Sequence, residues 1–134
     1  MKEQKLLNNK VEYRVIYADT DKMGVVYYTN YIKLFEIGRT ELFRSAGYSY
    51  LDIEKRGYSI PVSKAYCHYL KSARYDDIIV IETMINYIKK ASIRFDYVIK
   101  NKSTEELLVT GYTVHAFMND GKITRVPDFI SEIF

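Results

Sequence analysis

The 134-residue sequence is poor in several features, and each shortage excludes a class of protein. Cysteine occurs once, as Cys67, so neither an intrachain disulfide nor a Cys-x-x-Cys redox or metal motif is present. No uncharged stretch reaches the roughly 20 residues of a membrane-spanning helix, and the first ten residues lack the apolar run of a signal peptide. These absences predict a cytoplasmic protein that is not inserted in a membrane.

Blocks of like charge and catalytic motifs are absent as well. The 20 basic and 17 acidic residues give a net charge of +3 and are interspersed, unlike the basic arms that bind nucleic acids. The chain has no P-loop, no G-x-S-x-G, no G-x-G-x-x-G and no H-E-x-x-H. His68 and His115 fall within predicted strands, where a packed histidine is more common than a ligand or base. The sequence therefore predicts no nucleic-acid partner, no metal site and no cofactor.

What the sequence does have is a single long helical pattern. Apolar residues recur at helical spacing over residues 28–46, with Thr29 or Asn30 suited to the N-cap and Gly47 suited to the position just after the last turn. The first half of this helix is apolar almost all round, so we expect it to be buried on most of its circumference. A shorter helix is expected at residues 51–56.

The rest of the chain is rich in strands. Alternation of apolar and polar residues predicts strands at 10–17, 61–70, 78–87, 92–100 and 107–118. Asp120-Gly121 predicts a tight turn, and Pro127 is expected at the first position of a short helix that docks outside. Because the breaks between strands are short, neighbouring strands should be antiparallel.

Only the long helix can cover the apolar face of these strands. The sequence therefore predicts an α+β fold in which an antiparallel sheet of five or more strands wraps around one central helix. We expect this to be a single domain spanning residues 1–134, with a sheet edge that needs cover from a second copy.

The loop before the helix carries the strongest chemical signal. Asp19 and Asp21, followed by the flexible Gly24, stand just ahead of a helix N-terminus, whose unpaired N–H groups attract negative charge. Acyl transfer needs such a pair, since a carboxylate would attack the carbonyl or activate water while amides near Tyr28 hold the oxyanion. Aspartates also serve as simple turn formers, and from spacing alone that interpretation is the more common one.

Residues 17–43, YADTDKMGVVYYTNYIKLFEIGRTELF, resemble the signature of the hotdog-fold acyl-CoA thioesterases. The likeness is to the 4-hydroxybenzoyl-CoA thioesterase branch and its Tol-Pal-associated relatives. The shared pattern is D-x-D-x-x-G-[VI]-V-[YW]-x-x-N-Y followed by a helix with E-x-x-R. Residues 57–83 extend the similarity over most of the chain. The resemblance implies the hotdog fold, which is the same sheet wrapped around a helix.

The resemblance also implies roles for the loop residues. Asp21 would be the catalytic carboxylate, and the backbone N–H of Tyr28 would donate to the oxyanion. Gly24 would let the loop pass close to the thioester, while Asp19 and Asn30 would brace the loop rather than react. Whether the carboxylate acts as a nucleophile, through an anhydride, or as a general base that positions water stays open.

Substrate-binding residues are implied on the helix and on one turn. Tyr27 and Tyr31 would suit an aryl acyl group, although packing explains tyrosines equally well. Glu36 would meet the acyl group or pair with Arg39 or Thr40. The turn Lys89-Lys90-Ala91-Ser92 resembles a basic, serine-ended turn that holds CoA phosphates, although most Lys-Lys turns are solvated hairpin tips.

Taken together, the resemblance implies an enzyme that hydrolyses a small or aryl acyl-CoA thioester to the carboxylic acid and free CoA, without a cofactor. It also implies a homodimer or homotetramer with active sites at the dimer interface. Two other functions stay open, a non-catalytic module that binds acyl-CoA or acyl-carrier protein and, outside the family, a cystatin-like interaction protein. The acyl group, the natural thiol and the pathway stay open too.

Overall fold

The computed structural model describes residues 7–133 as strands, three helices and one 3₁₀ turn, Tyr17–Asp19. The helices are α1 (Asn30–Ser45), α2 (Tyr50–Lys55) and α3 (Asp128–Ser131). The strands are β1 (Asn8–Arg14), β2 (Tyr58–Ser59), β3 (Val62–Tyr69), β4 (Ile78–Ile88), β5 (Ser92–Asn101), β6 (Leu107–Ala116), β7 (Met118–Asn119) and β8 (Lys122–Ile123). Over this range no helix combines the length and apolar character needed to cross a membrane.

One main sheet forms the body of the protein. Its five strands run in the order β1-β4-β5-β6-β3, and every neighbouring pair is antiparallel. The three short strands β2, β7 and β8 form a second small sheet. The predicted α+β fold, an antiparallel sheet with one long helix against it, is confirmed.

Most element boundaries differ from the sequence-based prediction by one or two residues, and two of the differences have a clear physical reason. The first strand ends at Arg14 rather than at residue 17, because the chain turns into the 3₁₀ segment that leads to the loop. Pro127 is the N-cap of α3 rather than its first residue, since its ψ of 152° is extended. The turn at Asp120-Gly121 is confirmed, with φ of 50° and 74° at the two residues.

Helix α1 covers the sheet with one apolar face. Leu34, Phe35, Leu42 and Phe43 are all at most 1% exposed, and the ring of Phe35 stacks on that of Tyr97 of β5 at 4.1 Å between centroids. The expectation of burial around most of the helix is wrong for the single chain. The sheet covers one side only, and outward residues such as Ile32 at 37% remain exposed.

A glycine lets α1 lie close to the sheet. A Cβ added at Gly38 would stand 2.3 Å from Oγ1 of Thr83 and 2.9 Å from Cγ2 of Ile81, both on β4. These distances are shorter than any ordinary contact, so a side chain here would push the helix away from the strand. The position of the N-terminus of α1 therefore depends on Gly38.

We expect Gly38→Ala to lower the free energy of unfolding by about 1–3 kcal/mol, because overpacking outweighs the better helix propensity of alanine. Urea unfolding of the purified variant measures the change. The control is the same substitution in a Thr83→Ala background, which removes the nearer of the two atoms that the new Cβ would meet, so the loss should be smaller there. An equal loss in both backgrounds would contradict the close-approach explanation.

Candidate active site

A buried carboxylate holds the loop between β1 and α1. Asp19 is 1% exposed, and its Oδ2 accepts hydrogen bonds from the Tyr13 hydroxyl at 2.7 Å and the Ile16 N–H at 3.0 Å. Its Oδ1 pairs with the ammonium of Lys33, one turn into α1. The carbonyl oxygen of Asp19 accepts from the Tyr27 N–H and from Nδ2 of Asn30, each at 2.8 Å. Asp19 therefore ties the loop to both neighbouring elements.

The same contacts keep Asp19 ionised. Burial works to raise the pKa of the carboxyl, but the Lys33 ammonium and the N–H and O–H donors outweigh it and lower the pKa from its ordinary value. Sequence periodicity did not reveal Lys33 or Tyr13 as partners, because Lys33 lies 14 residues along the chain from Asp19. A loop-to-helix ion pair has no sequence signature of its own.

Asp21 has the opposite environment. It is exposed at the rim of the loop, and its Oδ1 accepts a hydrogen bond from the Met23 N–H at 2.8 Å, which makes a local turn. The other carboxylate oxygen has no hydrogen-bond partner within residues 7–133. Gly24 completes the turn with a φ of +76°, a conformation that L side chains rarely adopt. Asp21 is thus both a turn former and a carboxylate with one oxygen available.

Unpaired backbone amides lie at the start of α1. Thr29 is the N-cap but makes no side-chain capping bond, and the first turn of the helix contains no acidic residue. The first helical N–H groups bond back to loop carbonyls, for instance that of Asn30 to the Tyr27 oxygen at 2.9 Å. In the described part of the chain, however, the amides of Tyr28 and Thr29 donate to no acceptor. This helix end can therefore bind an anion or a developing oxyanion.

Four tyrosines surround this helix end. Tyr27 and Tyr28 are 45% and 56% exposed, with ring centroids 4.9 Å apart. Tyr31 is only 2% exposed, and its hydroxyl accepts from the Ala73 N–H at 3.2 Å, so within one chain it is a core residue. Tyr69 donates to the Tyr28 carbonyl at 3.2 Å. Sequence analysis missed Tyr69, which ends an exposed strand and carries no motif.

Partial burial of the Tyr69 hydroxyl, with the Cys67 thiol beside it, raises its pKa to about 12, although the residue as a whole is 44% exposed. At neutral pH the hydroxyl therefore keeps its proton and remains a donor to the Tyr28 carbonyl. The aromatic surface formed by Tyr27, Tyr28 and Tyr69 is thus held against the helix N-terminus by a stable hydrogen bond.

The other sequence-predicted residues lie away from this loop. Glu36 is exposed farther along α1, where it makes no ion pair with Arg39 in the described chain. Lys89 and Lys90 are exposed in the β4–β5 turn, closed by a bond from the Lys89 N–H to the Ser92 oxygen at 2.8 Å. The Asp19–Asp21 loop follows Arg14, and Arg14 pairs with Ile78, the first residue of β4. The Lys89-Lys90 turn follows Ile88, the last residue of the same strand. At about 3.3 Å per residue, β4 separates the two by roughly 30 Å.

The two histidines have different surroundings. His115 is fully buried, with Nδ1 3.0 Å from the Ile60 oxygen and Nε2 2.8 Å from Oγ1 of Thr113, and burial lowers its pKa to about 4. His68 lies exposed on β3. Across residues 7–133 no three His, Cys, Asp or Glu side chains come together as a metal-binding group.

Comparisons with known proteins agree with this architecture. Residues 15–134 match the family model of the thioesterase-like superfamily. A Bacillus subtilis protein named "Putative acyl-CoA thioesterase YneP" is 37% identical over 97 residues, which are 72% of this chain and 70% of that protein. The acyl-CoA thioesterase YbgC of Haemophilus influenzae is 34% identical over 84 residues, 62% of each chain.

A solved structure shows the same likeness. The DHNA-CoA thioesterase of Staphylococcus aureus is 28% identical, covers 94% of this chain and 90% of its own, and superposes with a TM-score of 0.85. The chain therefore belongs to the thioesterase-like superfamily, and its sheet around one helix is the hotdog fold. The resemblance that residues 17–43 indicated is confirmed.

We expect Asp19→Asn to lower the free energy of unfolding at pH 7 by about 1–3 kcal/mol, because it removes the charge that pairs with Lys33 from a buried site. The folded pKa of Asp19 is lowered, so its contribution is complete above the unfolded pKa of about 3.9 and is lost as pH falls through the folded value. Urea unfolding across this pH range should therefore show the difference between wild type and variant shrinking in acid.

Asp76→Asn is the matched control. Asp76 forms an exposed ion pair with Arg14, and asparagine tolerates its φ of 68°. We expect almost no change in unfolding free energy. A difference between wild type and Asp19→Asn that does not depend on pH would contradict the role of the ionised carboxylate.

Proposed function

We propose that this protein is an acyl-CoA thioesterase that hydrolyses a small or aryl acyl thioester to the carboxylic acid and free CoA. The observation that carries the proposal is the loop itself, which brings the available oxygen of Asp21 to the same short segment as the unpaired amides of Tyr28 and Thr29. Membership of the thioesterase-like superfamily supports it.

The chemistry needs only these groups. The thioester carbonyl oxygen would accept from the amide of Tyr28, so that negative charge developing on it is stabilised at the helix N-terminus. Asp21 would either attack the carbonyl carbon, giving an anhydride that water then cleaves, or take a proton from the attacking water. In both routes the carbon–sulfur bond breaks, and the thiolate leaves and takes up a proton. The proposed reaction uses no metal or other cofactor.

The acyl group would lie on the exposed rings of Tyr27 and Tyr28. The two adjacent tyrosine rings suit an aryl acyl group, because aromatic rings stack favourably on one another. The DHNA-CoA thioesterase among the related structures supports this preference. Tyr31 would hold the start of α1 in place by packing in the core, because its side chain is buried. Gly24 would keep the loop open to the thioester.

The coenzyme proposal requires a second copy of the chain. Lys89, Lys90 and Ser92 are separated from the Asp21 loop of their own chain by the length of β4, so their phosphate contact would serve the loop of a partner. The edge strand β3 supports such a dimer, since Val62, Tyr66 and Tyr69 on it are each more than 40% exposed. A single-chain mass in sedimentation equilibrium would contradict the dimer.

The remaining parts of the proposal concern organisation and location. We take residues 1–134 to act as one domain in a homodimer or homotetramer. A cytoplasmic location agrees with the use of CoA thioesters and with the single free thiol of Cys67.

A second function is favoured by one specific observation. Asp21 is exposed and already closes a turn through the Met23 N–H, which is what a purely structural aspartate does. A protein with that arrangement would bind acyl-CoA or acyl-carrier protein through the helix N-terminus and the tyrosines without hydrolysing the thioester.

Asp21→Asn separates the two functions. We expect at least a 100-fold fall in kcat, roughly the contribution of a positioned acid or base, with unfolding free energy unchanged. Thiol release from a panel of aryl and aliphatic acyl-CoAs, followed with a thiol dye, measures it. Asp120→Asn, at an exposed turn that asparagine tolerates, is the control. Binding of every acyl-CoA without turnover in the wild type would establish the non-catalytic function.

Replacing Lys89 and Lys90 together by alanine should raise KM for CoA esters about three- to tenfold and leave kcat nearly unchanged. Exposed charge contacts contribute up to about 1 kcal/mol each, equally in the ground and transition states. Lys100→Ala, on the outer face of β5, is the control. If KM does not move in steady-state kinetics, the turn is not part of the coenzyme site.

A further inference from the structure

Arg39 is a buried cation without a counterion. Arg39 lies on the inner face of α1 and is 8% exposed. Its Nε and Nη1 are fully enclosed and have no hydrogen-bond partner. No carboxylate of residues 7–133 lies within ion-pair distance of it. Burying a guanidinium in this way is strongly unfavourable unless an acceptor pairs with it.

The surroundings of Arg39 provide phenol oxygens but no carboxylate. Burial works to lower the pKa of the guanidinium, but the phenol oxygens of Tyr97 and Tyr50 outweigh it and raise the pKa above its ordinary value, so the side chain is charged. The Tyr97 hydroxyl already bonds to Oγ1 of Thr113 at 2.6 Å. The Tyr50 hydroxyl is itself buried without a partner. This cluster therefore has more donors than acceptors.

A cleft reaches this cluster from solvent. Its volume is about 340 Å³, near the lower end of the roughly 300–1,000 Å³ usual for ligand pockets, and it lies between α1, α2 and the start of β3. Arg39 lines it together with the apolar side chains of Ile53, Ile60 and Val62. Arg39 lines the cleft while its Nε and Nη1 have no partner, so its guanidinium is placed to donate to a ligand there.

We propose that the cleft binds a carboxylate on a small apolar body, with the Arg39 guanidinium as its counterion. A carboxylate supplies the missing acceptor in a charge-assisted hydrogen bond, and the apolar walls suit a ring or short hydrocarbon chain. Glu36 and Glu54, exposed at the rim, would repel a phosphate more strongly than a singly charged carboxylate. The charges of the cleft thus disfavour a doubly charged ligand relative to a singly charged one.

The carboxylate site is separate from the Asp21 loop. Arg39 lies nine residues beyond Asn30, which is about 14 Å along the helix. The proposal therefore stands without the proposed catalytic role of Asp21. The carboxylate has two sources, a free organic acid or the far end of an acyl group that itself carries a carboxylate.

The test is titration of the ¹⁵N-labelled protein with benzoate and with benzamide, its neutral isostere, followed by amide chemical shifts. We expect benzoate to shift the amide signals of α2 and of Ser59, Ile60 and Val62, and to bind about tenfold more tightly than benzamide. Arg39→Gln should abolish that preference and Arg39→Lys should keep part of it. Equal binding of the two probes at the cleft, or no benzoate-dependent shifts in α2 and β3, would overturn the proposal.

Glu36→Gln keeps the test decisive if both Arg39 variants fail to fold. Glu36 lies three residues before Arg39, so the opposing explanation is that it rotates to become the counterion. The proposal expects Glu36→Gln to tighten benzoate binding about two- to fivefold, because a repelling charge is lost, and to leave unfolding free energy unchanged. Weaker stability with unaltered or lost benzoate binding would make Glu36 the structural partner and overturn the carboxylate site.

Steady-state kinetics then identify which of the two sources supplies the carboxylate. If the carboxylate is part of the acyl group, that group must span the roughly 14 Å between the two sites, so wild type should hydrolyse dodecanedioyl-CoA with a lower KM than dodecanoyl-CoA, and Arg39→Lys should lose that difference. If it is a free acid, the two esters should have similar KM values while benzoate still binds wild type. Both results support the site and differ in its occupant. Absence of turnover would contradict only the proposed thioesterase function, because the binding titration does not require the protein to be catalytically active.

Discussion

The close contact between α1 and the main sheet is the constraint on which the candidate site depends. Gly38 and the flat stacking of Phe35 on Tyr97 bring the helix against β4 and β5 with no space for an added side chain. A helix held this firmly has a fixed N-terminus, and the loop before it is anchored to that helix by the ion pair between Asp19 and Lys33. Core packing thereby sets where the amides of the helix start point.

Two aspartates separated by one residue have opposite environments in this loop. Asp19 is buried among donors that lower its pKa, and its carboxylate is fully occupied in holding the loop. Asp21 is exposed and keeps one oxygen available. A carboxylate engaged by a cation and two neutral donors is a weak nucleophile and a weak base. Of the two aspartates, therefore, only Asp21 keeps a carboxylate oxygen available for the proposed reaction.

Sequence periodicity predicted the elements well and the contacts between them poorly. Alternation located all five main strands, and helical spacing located α1, because each pattern records which side of a single element is buried. The same spacing overestimated burial of α1, since periodicity cannot show that the sheet covers one side only. Asp19 and Asp21 have the same side chain in one loop, so their different roles follow from Lys33, which only folding brings near. Arg39 likewise reads as an ordinary helical residue until its burial without a counterion is seen.

The antiparallel pairing of β1 with β4 limits what one copy of the chain can do. Because β1 and β4 are antiparallel and paired from Arg14 with Ile78, the loop after β1 and the turn after β4 must lie at opposite ends of the sheet. No rearrangement of the loop alone spans a strand of 11 residues. A site that uses both the anionic loop and the Lys89-Lys90 turn must therefore combine two copies. The exposed tyrosines of β3 offer a surface on which such a pairing would bury apolar area. Assembly would then be a condition of substrate binding, since each chain would lack half of the contacts.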